Sequence, residues 1–482
     1  MKNNSNTLRR TKIVATLGPA TDDEAVLTRM IENGLNVVRL NFSHGSHEDQ
    51  VARVETVRNI SEKCGKAVGI LVDLQGPKIR IAKFKNKKID LTIGQALTID
   101  CAFDENAGTD SIVGVTYKTL YKEVKVGNEL LLDDGAVVLE VKSLDGKKIH
   151  CEVLVGEELS NSKGLNLRGG GLSAGALTDK DKEDIKIAGQ VKADYVAVSF
   201  VCNAEEVNTA RKLFFQAGGN GGIVSKIERA EAIDNLEEII EASDVAMVAR
   251  GDLGVEIGDA ELPAIQKRII SMARNKDCAT ITATQMMQSM VESPLPTRAE
   301  VLDVANSIID GTDAVMLSAE SAVGKHPDLV IETMDRICCG AERNRIPHGA
   351  RYRDDGSFAD EEESIAMAAM YVANKLNVVA IVALTESGHT AKLMSRVSSG
   401  IPIFALSRHS KTVHRVSLYR GVYPLKWDLK TDKQDYNYMS SQVFQALEGR
   451  LELNRGDQIV ITQGDMRGVQ GQTNTLRIIT VE

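Results

Sequence analysis

From Lys12 the chain repeats one pattern: a short apolar, often β-branched run, then a polar turn, then an amphipathic stretch of helical period. Apolar runs of this kind suit strands covered on both faces, and their alternation with helices predicts a parallel sheet. Lys12–Leu17, Val37–Phe42 and Ala67–Leu74 are the first three runs. Gly18-Pro19 stops the first, a helix over Thr21–Asn33 follows, and another covers Val51–Cys64. The alternation then breaks. Residues 75–170 read as short strands over Ile89–Ile93, Ala96–Ile99, Glu129–Leu132, Ala136–Val141 and Ile149–Leu154, with turns at Asp134-Gly135 and Asp145-Gly146. That stretch is an all-β insertion, a small barrel or sandwich. A helix over Asp179–Gln190 resumes the alternation, and Tyr195–Phe200, Ile223–Ile227, Val245–Ala249, Ala279–Ala283 and Ala314–Ser318 are five more buried runs. Three and five make eight βα units, the count of a TIM (β/α)8 barrel; near-equal units favour closure over an open doubly wound sheet. A polar linker over Arg345–Asp360 leads to a helix at Glu361–Leu376 and strands at Val378–Leu384, Pro402–Leu406, Gln458–Thr462 and Thr475–Val481. The expected layout is a barrel from residues 1–74 and 171–345, an inserted β lid over 75–170, and a C-terminal α/β domain over 346–482.

Composition narrows the function classes. No run approaches ~18 apolar residues, which excludes a membrane-spanning helix. The start, Met1-Lys2-Asn3-Asn4-Ser5-Asn6, lacks the apolar core of a signal peptide. Seven cysteines without a regular framework point to reduced thiols, so a cytoplasmic setting is expected. A formal net charge of −9 argues against nucleic-acid binding, and any anionic substrate must be met by local cations or metal ions.

A barrel gathers the carboxyl ends of its strands on one face, where active sites are built. Here those ends carry Arg39, Asn41 and Ser43, then Asp73, then Lys226 and Glu228, then Arg250 and Asp252, then Thr284, and last Ser318 and Glu320. Glu228 and Asp252 are two hard oxygen donors of the kind Mg²⁺ takes, with substrate and water supplying the rest. Lys226 and Glu228 are two apart, so they share a face of their strand and set a cation beside that metal. Arg39 has the forked shape that grips phosphate. One such pair is as readily a solvated ion pair at the barrel rim. Charges and hydroxyls at six of eight strand ends instead describe an enzyme acting on a phosphorylated substrate with Mg²⁺.

Several segments carry a family likeness. Asn41-Phe42-Ser43-His44-Gly45, Asp73-Leu74-Gln75-Gly76-Pro77-Lys78-Ile79-Arg80, Ser225-Lys226-Ile227-Glu228 and Arg250-Gly251-Asp252-Leu253-Gly254 resemble, in order and spacing, motifs of pyruvate kinases. So do Ala283-Thr284-Gln285-Met286-Met287, Pro296-Thr297-Arg298-Ala299-Glu300 and Met316-Leu317-Ser318-Ala319-Glu320. The resemblance runs from Arg10 to the C-terminus. It implies phosphoryl transfer from phosphoenolpyruvate to ADP, giving pyruvate and ATP. It further implies that Glu228 and Asp252 hold Mg²⁺ (or Mn²⁺), that a second Mg²⁺ arrives with the nucleotide, and that Lys226, Arg39 and Arg80 grip the phosphoryl group. Backbone N–H groups at Arg250, Gly251 and Asp252 would bind the substrate carboxylate. Thr284 and Ser318, through water, would serve proton delivery to the enolate. Asp133-Asp134-Gly135 would lie on the lid and face the cleft, although its local sequence reads as an ordinary hairpin turn.

Asn41, Ser43, Asp73 and the carbonyl of Leu74 match the family's monovalent-cation site. K⁺-dependent members carry Glu where this chain has Lys78, and Lys where it has Gln75. An ammonium there would replace the ion, so K⁺ is expected not to be required. Thr385, Ser387, Gly388 and Thr390 form a loop between strand and helix, where regulated members bind a phosphorylated effector. That activator would be a pentose or hexose phosphate or a nucleotide monophosphate. The family's assembly is a homotetramer. Two other readings compete: a Mg²⁺-dependent aldolase or C–C lyase on the same barrel, and a non-catalytic effector-binding relative, which would have lost Lys226, Glu228 or Asp252.

Overall fold

The computed structural model describes residues 8–172, 175–344, 358–428, 436–464 and 471–482. Eight parallel strands close into a barrel: β1 (Lys12–Thr16), β2 (Val37–Asn41), β3 (Gly69–Asp73), β4 (Tyr195–Val198), β5 (Gly222–Ile227), β6 (Val245–Ala249), β7 (Ala279–Ala283) and β8 (Ala314–Leu317). Each pairs with its neighbours in sequence, and β1 pairs with β8 to close the ring. The register brings Asn41 beside Asp73 and Lys226 beside Met247. Every residue of β1, β3, β6 and β7 is buried, which explains why these strands read as unbroken apolar runs. Side chains alternate between two cores. Val14, Leu71, Val224, Met247, Ile281 and Met316 fill the barrel. Their neighbours Ile13, Ile70, Ile223, Val248 and Val315 pack against the outer helices.

The insertion has its own core around Leu97, Leu130, Leu139 and Val153. It is a six-stranded sheet in the order Leu165–Leu167, Glu129–Leu132, Val137–Asp145, Lys148–Val155, Ala96–Asp100, Ile112–Gly114, with a separate pair, Lys88–Asp90 against Glu158–Ser160. Ile112–Gly114, Glu158–Ser160 and Leu165–Leu167 were not expected, because three residues carry no period. Asp145-Gly146 does turn a hairpin, with Asp145 paired to Lys148. Asp133-Asp134-Gly135 is not a two-residue turn. It is a 3-10 turn with φ of 51°, 55° and 92°, seated against the helix Arg250–Ile257 at the barrel mouth. Asp133 is pinned there by Lys163 at 2.9 Å.

The C-terminal domain is a five-stranded sheet, Val422–Lys426, Ile403–Ser407, Ala380–Leu384, Gln458–Gly464 and Thr473–Thr480, parallel except for the last. The helix Glu361–Leu376 appears with its expected bounds, its N-cap Asp360 accepting from Glu363 N–H. Val422–Lys426 escaped notice because it is short and holds a proline at an edge. Among the described residues no helix is long and apolar enough to cross a membrane.

Barrel and C-terminal domain are joined by a buried ion pair. Arg396 embraces Asp313, at the foot of β8, through both terminal nitrogens, NH1 at 3.0 Å. Asp313 also accepts from the backbone N–H of Thr280 at 2.9 Å and of Arg420 at 3.0 Å. Burial alone would raise its pKa, but the Arg396 charge outweighs that and holds it below the ordinary carboxylate range. An Arg396→Ala variant leaves this carboxylate buried without its countercharge. We expect it to lose about 3–5 kcal/mol in equilibrium urea unfolding; a loss within experimental error would show the pair to be dispensable.

Candidate active site

Lys226 lies near the end of β5 and Glu228 one residue beyond it, so the strand's two-residue repeat points both into the barrel mouth. The Lys226 ammonium is 2.9 Å from Glu228 Oε1, 3.4 Å from Asp73 Oδ1 and donates to Ser199 Oγ at 2.7 Å. Ser199 in turn donates to the Leu74 carbonyl at 2.8 Å. On the other side of Asp73, Arg39 places Nε and NH2 each 2.6 Å from Oδ2. Its NH1 donates to Thr16 Oγ1 at 2.9 Å, and that hydroxyl is anchored on the Leu317 carbonyl. One carboxylate thus spaces two cations. Lys226 and Arg39 keep 13% and 12% of their side chains exposed, enough for a small anion to reach both.

Three buried charges set one another's protonation. Burial favours the neutral form of each, but Lys226 and Arg39 hold Asp73 below the usual carboxylate range. Burial would lower Lys226, yet Asp73 and Glu228 push it up to about 12. Glu228 goes the other way. Its burial, with the Asp252 charge nearby, raises its pKa despite Lys226. Its second oxygen accepts from Phe200 N–H at 2.8 Å.

β6 runs straight into the helix Arg250–Ile257, which delivers Asp252 to the mouth. The Asp252 carboxylate is met by Lys78 at 3.0 Å, from the segment that leaves β3 for the lid. Glu228 and Asp252 are hard donors that fit a Mg²⁺ taking its other oxygens from substrate and water. Among the described residues no cluster of three or more His, Cys, Asp or Glu offers a self-sufficient metal cage. At the position expected for a monovalent cation, Asp73 Oδ1 is buried and makes no hydrogen bond, but the Lys226 ammonium already lies 3.4 Å from it. Asn41 Oδ1 is occupied by the N–H of Ser43 at 3.1 Å, and the Leu74 carbonyl by Ser199.

Not every expected residue gathers here. Arg80 turns to the lid, donating to the Ser162 carbonyl at 2.8 Å. The Arg250 side chain points away from the mouth, to Asp303 at 2.7 Å and to the carbonyls of Ala283 and Thr284 at 3.2 and 2.7 Å. It braces a turn in which Thr284 and Gln285 hold φ of 68° and 54°, unusual for residues with side chains. Thr284 Oγ1 accepts from Gly251 N–H at 2.8 Å, which ties that turn to the helix start. Ser318 N–H donates to Glu320 Oε2 at 2.7 Å, while Glu320 Oε1 takes Met287 N–H at 3.1 Å, so a buried carboxylate locks the β7 and β8 loops together.

Three features lay outside the reach of sequence reasoning. Ser199 and Thr16 position Lys226 and Arg39, but single hydroxyls at strand ends carry no pattern. A recess of about 480 Å³ beside β2 is lined by Phe42, Gly45, Ser46, His47, Gln50 and Lys180. Lys180 there bonds Asp184 and the Phe42 carbonyl, each at 2.6 Å. In the C-terminal loop, Thr385 Oγ1 accepts from Gly388 N–H at 2.8 Å and Ser387 Oγ from His389 N–H at 3.2 Å. Thr390 is buried instead, its hydroxyl on Glu362 and 2.8 Å from that of Thr473. Arg408 and His409, at the end of the adjacent strand, reach Glu386 in this loop at 3.2 and 2.6 Å.

Comparison with known proteins agrees with this geometry. Residues 8–331 match the family model for the pyruvate kinase barrel domain and residues 363–479 that for the pyruvate kinase alpha/beta domain. Pyruvate kinase II of Salmonella typhimurium is 52% identical over 99% of this chain and 100% of its own. The pyruvate kinase of Haemophilus influenzae is 50% identical over the same shares, and that of Corynebacterium glutamicum 41% over 98% and 97%. The chain belongs to the pyruvate kinase family. Pyruvate kinases are transferases, and the cationic cluster around Asp73 is the part of this member suited to holding a group in transfer.

Asp73 is the group on which that cluster turns. An Asp73→Asn variant removes a negative neighbour from Lys226, so the ammonium's pKa must fall from its raised value. The basic limb of the pH–rate profile is expected to move to lower pH, with kcat/KM down about a hundredfold. An unmoved basic limb would show that Asp73 does not set the charge on Lys226.

Proposed function

We propose that this chain catalyses Mg²⁺-dependent transfer of the phosphoryl group of phosphoenolpyruvate to ADP, giving pyruvate and ATP. The observation that carries the reading is Lys226 between Glu228 and Asp73, with Arg39 across the same carboxylate. Two fixed cations at the barrel mouth match the charge of a phosphoryl group between donor and acceptor. Glu228 and Asp252 would hold Mg²⁺, which when bound neutralises charge on the substrate oxygens. At the start of the helix Arg250–Ile257 the Gly251 N–H is held by Thr284 Oγ1, so the N–H groups of Arg250 and Asp252 would bind the substrate carboxylate, and the Arg250 side chain acts by bracing that start. Thr284 and Ser318 line the same mouth and serve proton delivery through water. ADP enters by the recess at His47 and Lys180, next to the Asn41–Ser43 loop. Arg80 grips phosphate only if lid closure carries it inward, and the Asp133–Gly135 turn against the mouth supports such a closure excluding water.

The Lys78 ammonium lies 3.0 Å from Asp252 and not on Asn41, Ser43, Asp73 or Leu74, so it would stand in for K⁺ by its charge at the mouth and not by filling that site. The C-terminal loop supports activation by a phosphorylated metabolite: its hydroxyls face a helix start, and Arg408 and His409 flank it. Thr390 serves there through Glu362, as support for the loop. Leu302 and Ile309, seven apart on one helix and 65% and 47% exposed, support burial of that face in a cytoplasmic homotetramer.

The deciding assay follows pyruvate formation from phosphoenolpyruvate with Mg²⁺, with and without ADP. We expect strict ADP dependence, which an aldolase or lyase lacks, and a loss of about a thousandfold in Lys226→Met. Turnover should persist in K⁺-free buffer, and Lys78→Glu should make it K⁺-dependent. A wild-type enzyme that needs KCl would refute the cation argument and leave the reaction standing. Separately, Ser387→Ala and Arg408→Gln should each weaken the response to sugar phosphates or nucleotide monophosphates about tenfold. A full response in both would remove the loop as the effector site.

A further inference from the structure

The barrel end away from the catalytic groups meets the C-terminal domain across a cleft that phosphoryl transfer does not use. Its walls carry Arg10, Arg274, Arg396 and Arg420, with Ser398 and Ser399 between them, and Asp313 is the one carboxylate among the lining residues. The cleft is narrow, about 50 Å³, and opens to solvent, so it has room for one small anionic group rather than a whole metabolite.

Asp313 is already saturated by Arg396 and two backbone N–H groups. Glu342 flanks the cleft, but its carboxylate is taken by the N–H and hydroxyl of Thr11 at 2.7 and 2.6 Å and by Arg10 N–H at 2.8 Å. Arg10 and Arg420 pair with it more loosely, at 3.6 and 3.7 Å, and Arg420 NH1 also donates to Thr11 Oγ1 and to the Thr312 carbonyl, each at 2.8 Å. Asp277 acts on Arg396 from the same side. Four guanidiniums therefore face three carboxylates. The guanidiniums are also held in place, which removes much of the entropy cost of gripping an anion. Arg274 Nε donates to the Arg396 carbonyl at 2.8 Å and its NH2 to Ser398 Oγ, and Arg10 NH1 donates to the Ser399 carbonyl at 3.0 Å.

Fixed guanidiniums and serine hydroxyls around a small open cleft are a recognition surface for phosphate oxygens. We propose that this cleft binds a phosphate group, free or as the monoester of a small metabolite, at a site separate from the Thr385–Thr390 loop. Such an anion bridges Arg10 and Arg274 on the barrel side to Ser398 on the C-terminal domain, so its occupancy fixes how the two domains sit together.

The test uses the full-length protein with phosphoenolpyruvate and Mg²⁺ present and ADP absent, at constant ionic strength set with chloride. Melting temperature and isothermal titration are recorded against inorganic phosphate and against glycerol 3-phosphate. We expect either anion to raise the melting temperature of the wild type. Ser398→Glu, which places a carboxylate in the cleft, and Arg274→Gln should each weaken the affinity about tenfold. A stronger response to glycerol 3-phosphate assigns the monoester, and a stronger response to inorganic phosphate assigns the free ion. Ser398 is half-buried in a turn, so its variant remains informative if Arg274→Gln fails to fold. No response in the wild type, or unchanged affinity in folded Ser398→Glu, overturns the proposal.

Discussion

Two cations cannot be kept close together inside a protein unless something negative is fixed between them. In this chain that is the Asp73 carboxylate, 1% exposed, with Arg39 on one oxygen and Lys226 near the other. A cluster of this kind tolerates little movement, since each member is desolvated and depends on the others for its charge. The closed barrel meets that demand. Arg39, Asp73 and Lys226 stand on three different strands whose spacing is fixed by hydrogen-bonded register and by side chains packed on both faces. Ser199 and Thr16 then remove the remaining freedom of the lysine and the arginine. The scaffold's contribution to function is this rigidity.

The other half of the mouth is held by carboxylates and guanidiniums facing away from it. Arg250 looks like a substrate ligand by its position at a strand end, yet it spends its guanidinium on Asp303 and on the carbonyls of the Thr284 turn. Glu320 does the same for the β7 and β8 loops. These contacts maintain Thr284 and Gln285 in a left-handed conformation that costs free energy when unsupported. The mouth thus separates into groups that face it and groups that hold those groups still.

This separation decides what could be read in the sequence. Eight buried runs gave the barrel, because strands covered on both faces leave a composition that survives without any structure. Lys226, Glu228 and Asp252 were legible because charge at the end of an apolar run is rare without purpose. The direction a side chain takes is not encoded so locally. Arg39 and Arg250 occupy similar positions at strand ends, and only packing sends one inward and the other away. Thr390 reads as a loop hydroxyl, but the helix that starts beside it turns it onto Glu362. The lid's shortest strands were lost because three residues have no period, and Arg408 and His409 because their partner Glu386 is some twenty positions away.

The neighbouring Lys78 shows how one residue links the two charge systems. Its ammonium pairs with Asp252, while burial and the Asp252 charge raise the pKa of Glu228 despite Lys226 at 2.9 Å. Each of the two carboxylates thus has an internal cation against it, Lys78 at Asp252 and Lys226 at Glu228. Any cation that takes both carboxylates must compete with the Lys78 ammonium at Asp252 and the Lys226 ammonium at Glu228. Lys78 sits on the segment that leads from β3 into the inserted domain, so its contact with Asp252 ties that segment to the barrel mouth. The chain's net charge of −9 does not fix the potential at the mouth, which is set locally by Lys226, Arg39 and Lys78 against Asp73, Glu228 and Asp252.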